Sequence, residues 1–100
     1  MATILIIEDE PELVKVLKAY LEQAGFNVLS AGRGDTGLSI WEHKRPDLVI
    51  LDLNLPGMDG LDVARAIRQN KSNAANTPIM MLTARADETD QLIGLELGAD

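Results

Sequence analysis

One hundred residues are enough for one domain and not for two. Sixteen acidic against nine basic residues give a formal charge of -7, which disfavours nonspecific binding to nucleic acid or to an anionic membrane, because phosphates would be repelled. With no cysteine there are no disulfides and no thiolate metal sites, and with 3% aromatics the core falls to Ile, Leu, Val, Ala and Met.

Short apolar runs alternate with amphipathic stretches along the chain. Thr3 to Glu8 (TILIIE) is β-branched and nearly continuous, which predicts a strand buried on both faces. Pro11 suits the first turn of a helix whose apolar positions are Leu13, Val16, Leu17, Tyr20 and Leu21, and Gly25 supplies its stop. Phe26 to Ala31 is a second, weaker strand. Asp35 to Lys44 reads as a helix with Leu38 and Trp41 on one face, although Gly34 and Gly37 lower its propensity, and Pro46 ends it.

Asp47 to Asp52 (DLVILD) is the strongest buried-strand signal in the chain. Asn54 to Gly60 is a loop rich in Pro and Gly. A helix over Leu61 to Arg68 follows, then a polar turn over Lys71 to Thr77 and a fourth strand over Pro78 to Leu82. Asp87 is placed to cap a last helix carrying Leu92, Ile93 and Leu97, with Gly98 at its end. Strand and helix in regular alternation predict a parallel sheet with helices on both faces, joined by right-handed crossovers. The apolar runs are far too short to span a bilayer, and Met1 leads straight into a strand, so no signal peptide is read and a cytoplasmic location is expected.

In such a sheet all strand carboxyl ends open onto one edge, where ligands bind. Three acids fall there: Glu8 and Asp9 after the first strand, and Asp52 at the end of the third. If those strands are neighbours the carboxylates converge, and like charges so placed call for a cation or a raised pKa. Oxygen donors without a competing His or Cys suit Mg²⁺, and His43, the only histidine, lies on a helix elsewhere. The plainer reading is that such acids cap helices, Asp9 above all. Asp52 closes a buried strand and is a candidate nucleophile towards phosphorus, with the Asn54 carbonyl available to the metal. Thr83 ends the fourth strand, where its hydroxyl is either an ordinary helix-entry group or a hydrogen-bond donor to a phosphoryl oxygen.

Taken together, IIEDE, DLVILDLNLPGMDG, PIMMLTA and GLELGAD resemble the receiver domain of bacterial two-component response regulators. Their wording is nearest to receivers that precede a winged-helix DNA-binding domain. The resemblance implies an α/β, flavodoxin-like doubly wound parallel sheet, with strand order 2-1-3-4-5 when complete. It implies phosphorylation of Asp52 by a partner histidine kinase, and Mg²⁺ held by Asp9, Asp52 and the Asn54 carbonyl. Glu8 stands where many members have Asp and would act through a metal-bound water. Thr83 would be the switch hydroxyl. The function implied for the parent protein is phosphorelay signalling, with control of transcription as the output.

The family pattern continues past GAD into a fifth strand, a Lys-Pro pair and a fifth helix. Residues 1–100 are therefore expected to be one receiver domain truncated at its C-terminus, of order 2-1-3-4, without the lysine that pairs with the phosphoryl group. Ile79 to Leu82 would then be an apolar edge, and the sheet face normally under the fifth helix would lie bare, so self-association is expected.

Three rival functions are distinguishable. A haloacid-dehalogenase-type phosphatase also uses a strand-end Asp, but on its first strand and with a second acid two residues later, where this chain has Asn54. A flavodoxin would present hydroxyls and amides to a flavin phosphate, where this chain presents Glu8, Asp9 and Glu10. A receiver-like interaction module that is never phosphorylated would not need Asp9, Asp52 and Thr83 together.

Overall fold

The computed structural model describes residues 1–70 and 76–82. Among these, seven elements follow one another: β1 (Thr3–Ile7), α1 (Pro11–Gln23), β2 (Asn27–Ala31), α2 (Gly34–Lys44), β3 (Leu48–Asp52), α3 (Gly60–Arg68) and β4 (Ile79–Leu82). The strands form one sheet of order β2-β1-β3-β4, and every pairing is parallel. This is the α/β, doubly wound arrangement expected from the alternation, with the predicted order 2-1-3-4. The predicted last helix, from Asp87 onward, lies outside the described residues.

Among the described residues two apolar clusters, one on each face, explain why the inner strands are hydrophobic throughout. Leu5 and Ile7 of β1, with Val49 and Leu51 of β3 and Ile79 and Met81 of β4, meet Trp41 of α2 and Val63, Ala64 and Ile67 of α3. The alternate residues Ile4, Ile6 and Ile50 face the other way, against Val14, Leu17 and Leu21 of α1. A strand with a period-2 pattern and a helix on each side has no face left for polar residues. Each such fully buried aliphatic side chain contributes roughly 1.5–3 kcal/mol relative to exposure. No described helix is long and apolar enough to cross a membrane.

The helix ends follow local chemistry. Pro11 occupies the first turn of α1. At the other end the Gly25 amide donates to the Glu22 carbonyl (3.0 Å) and the Phe26 amide to the Leu21 carbonyl (3.1 Å). Gly25 takes φ +99°, the left-handed turn this closure needs. α2 stops at Arg45, itself left-handed at φ 49°, immediately before Pro46. The Asp59 carboxylate accepts from the Leu61 amide (3.3 Å) and caps α3.

Candidate metal centre

The pairing of β1 with β3 decides the geometry of the site. Ile7 lies opposite Leu51, so the next residues along, Glu8 and Asp52, leave the sheet side by side. The Glu8 amide still donates to the Ala31 carbonyl of β2 (3.0 Å), which holds Glu8 in strand register before the chain turns at Asp9. One carboxylate oxygen each from Glu8, Asp9 and Asp52 lie within 4.8 Å of one another. Glu8 and Asp52 are buried and Asp9 is exposed. These acids, with Glu10, Pro11, Leu13 and Asn54, line an open cleft of about 360 Å³ at the carboxyl edge of the sheet.

The electrostatics are those of an uncompensated cluster. Burial pushes the Glu8 carboxyl up from 4.5 to about 7; the negative charges of Asp52 and Asp9 add to this, while the Glu10 amide, donating to Glu8 Oε2 (2.9 Å), opposes it. Burial likewise raises Asp52, with the charges of Asp9 and Glu10 acting in the same direction and the amides of Asn54 and Leu53 holding it down. Among the described residues, no basic side chain lines the cleft to offset these charges. An all-oxygen donor set with several negative charges and an open side for water fits a hard divalent cation such as Mg²⁺.

Each residue singled out in the sequence has a definite position. Glu8, Asp9 and Asp52 converge, and Asn54 lines the same cleft from the β3–α3 loop. Helix capping does not account for Asp9: the N-cap position of α1 is Glu10, and no side chain caps the helix there. His43 is elsewhere, on α2, with Nδ1 at 2.8 Å from the Ser39 carbonyl. Thr83 lies outside the described residues; the strand leading to it ends at Leu82, paired with Asp52. Two contributors to the environment of Asp52 were not assigned to it from sequence: the charge of Glu10, named there only as repelling a flavin phosphate, and the amides of Leu53 and Asn54. The run of three acids Glu8-Asp9-Glu10 is a signal for the first, whereas backbone amides carry no residue-specific signal at all.

Comparison with known proteins places this geometry in context. The sequence model of the response regulator receiver domain matches residues 4–100. The chain is 43% identical over 97 residues to the alkaline phosphatase synthesis transcriptional regulatory protein PhoP of Bacillus subtilis, covering 97% of this chain and 39% of that protein. It is 44% identical over 97 residues to the DNA-binding response regulator MtrA of Mycolicibacterium smegmatis, covering 97% and 41%. The chain thus spans about two-fifths of the length of these relatives. Among solved structures, the BeF3-activated N-terminal receiver domain of Klebsiella pneumoniae RstA superposes with a TM-score of 0.79 at 35% identity, covering 97% of this chain and 80% of that one. The non-phosphorylated HemR receiver domain of Leptospira biflexa gives 0.80 at 35% identity, covering 99% and 77%.

Proposed function

The chain belongs to the response regulator receiver domain family, and from that premise we propose that Asp52 accepts a phosphoryl group from a sensor histidine kinase. The observation that carries this reading is the meeting of Glu8, Asp9 and Asp52 oxygens within 4.8 Å at the mouth of a cleft, with Asp52 itself buried at its base. A divalent cation bound there would neutralise charge on the phosphoryl oxygens during transfer. Asp9, Asp52 and the Asn54 carbonyl would hold it directly and Glu8 through water; these are all oxygen donors, as Mg²⁺ requires.

The transfer itself is simple. An Asp52 carboxylate oxygen bonds to phosphorus as the phosphorus–nitrogen bond of a phosphohistidine breaks; the electron pair stays on the imidazole, which takes up a proton from solvent. The product is an acyl phosphate, and its hydrolysis returns the carboxylate and inorganic phosphate. The Thr83 hydroxyl is the donor we assign to the phosphoryl oxygen. Residues 1–100 act as one phosphoacceptor unit rather than as an enzyme with turnover on a free substrate. In the parent protein the reading extends to a cytoplasmic transcriptional regulator, in line with the names of its relatives.

Acetyl phosphate labelling tests this. With Mg²⁺ the chain should gain one phosphoryl group labile to alkali and to hydroxylamine, and neither the EDTA-treated chain nor Asp52→Asn should. Labelling that persists in Asp52→Asn would overturn the assignment.

Self-association is the second part of the proposal. Met80 is exposed on the α1 side of the sheet, the side set by its partner Ile50, and Val16 and Tyr20 of α1 are exposed as well. A second copy of this chain is the partner that would cover them. Light scattering across micromolar concentrations should give a mass above that of one chain; a constant monomer mass would refute it.

A further inference from the structure

We infer that Gly34, the first residue of α2, is a positioning residue for the cation cradle, an inference that rests on the reading of Glu8, Asp9, Asp52 and Asn54 as a metal site. Gly34 has no side chain to offer the ion. It acts on the loop between β3 and α3, which carries Asn54.

That loop is held from two sides. From below, the Gly60 amide donates to the Leu53 carbonyl (3.0 Å), and the Gly60 Cα approaches the Asp52 carbonyl so closely that a Cβ there would overlap it. From the side, the Gly34 amide donates to the Pro56 carbonyl (3.1 Å). A Cβ on Gly34 would overlap the Met58 carbonyl oxygen and sit 2.7 Å from its carbon and 2.9 Å from the Met58 Cβ. The obstruction is mainly backbone, which cannot rotate out of the way as a side-chain tip can. Any side chain at position 34 must therefore push α2 and the Pro56–Met58 segment apart. Asn54 lies two residues before Pro56, so the displacement is delivered to the carbonyl assigned to the ion.

Gly25, just past the end of α1, separates this role from a mere loss of stability. It takes φ +99°, and a Cβ there would meet nothing within 4 Å. Replacing either glycine should cost stability, but only position 34 bears on the loop that carries Asn54.

The experiment is Mn²⁺ binding to the folded chain, read by electron paramagnetic resonance of the free ion, for wild type, Gly34→Ala, Gly25→Ala and Asp52→Asn. Wild type and Gly25→Ala should bind alike. Gly34→Ala should bind roughly tenfold more weakly, the lower end of what losing support around the ligands costs a metal site. Equal affinity of Gly34→Ala and wild type would overturn the role of Gly34 and leave the metal site standing. Wild-type binding no stronger than that of Asp52→Asn would overturn the metal site and the role together. A second measurement needs no variant: amide hydrogen exchange of wild type with and without saturating Mg²⁺. The Gly34 amide should gain protection when the ion is bound, because binding and the Gly34–Pro56 hydrogen bond stabilise the same loop position; unchanged protection would overturn the inference.

Discussion

The indole Nε1 of Trp41 donates to the Thr77 hydroxyl at 3.2 Å in a region where both residues are buried, joining α2 to the segment that leads into β4. Arg68 donates to the Thr77 carbonyl (2.7 Å), and the Arg45 guanidinium lies 5.5 Å from the centre of the indole. Thr77→Val keeps the shape and removes the acceptor, leaving a buried N–H without its partner. Stability should fall by about 1–3 kcal/mol. Urea denaturation followed by the emission of Trp41, the chain's single tryptophan, reads both the loss and any change around the ring.

Stability without divalent ions should decline as pH rises. In the unfolded chain Glu8 ionises near its ordinary 4.5, whereas in the fold it stays protonated until about 7. Between those values the folded state binds more protons, so raising the pH favours unfolding, and above about 7 the effect of this group is complete. Asp52, also raised, contributes in the same direction. Urea midpoints in EDTA should fall from pH 5 to pH 7.5, and Glu8→Gln should flatten much of that slope.

Asp52→Asn should make the chain more stable in EDTA. Above about pH 7, where Glu8 is ionised, it removes one of three crowded negative charges while keeping the shape. A gain of about 1 kcal/mol would raise Tm by roughly 4–8 °C in a domain of this size. Adding Mg²⁺ should reverse the order: wild type gains stability by binding the ion, and Asp52→Asn does not. Thermal melts with and without Mg²⁺ check both halves.

Gly25→Ala should cost about 1–2 kcal/mol through the backbone alone, since φ is +99° there and a Cβ would meet nothing within 4 Å. Mn²⁺ affinity and labelling of Asp52 should be unaffected. An alanine tolerated at no cost, seen as an unchanged urea midpoint, would count against the observed closure of α1.

Much of this architecture was legible because the signals are local. The runs TILII and LVILD are buried on both faces, and only an inner parallel strand needs that pattern. Pro11 and Gly25 bracket α1 as their positions suggested. Strand boundaries moved by a residue: Glu8, Phe26, Asp47 and Pro78 fall outside the strands. The instructive case is α2. Gly34 and Gly37 read as propensity losses, yet each allows a close approach, to Met58 and to Ile7. Propensity describes a helix by itself, and the reason for these residues lies in what the helix touches.

The site was legible as a set of acids at strand ends, and their convergence follows from the pairing of β1 with β3. What the sequence did not carry was the supporting backbone: the amides of Leu53 and Asn54 beside Asp52, and the Glu10 amide on Glu8. Any residue type can supply such an N–H, so no letter marks it.

The Ile7–Leu51 register also has a consequence for biosynthesis. The acids of β1 emerge from the ribosome well before Asp52, and no nearer neighbour in sequence completes their cluster. Until β3 has been translated and has docked beside β1, the three carboxylates that meet in the finished fold remain apart.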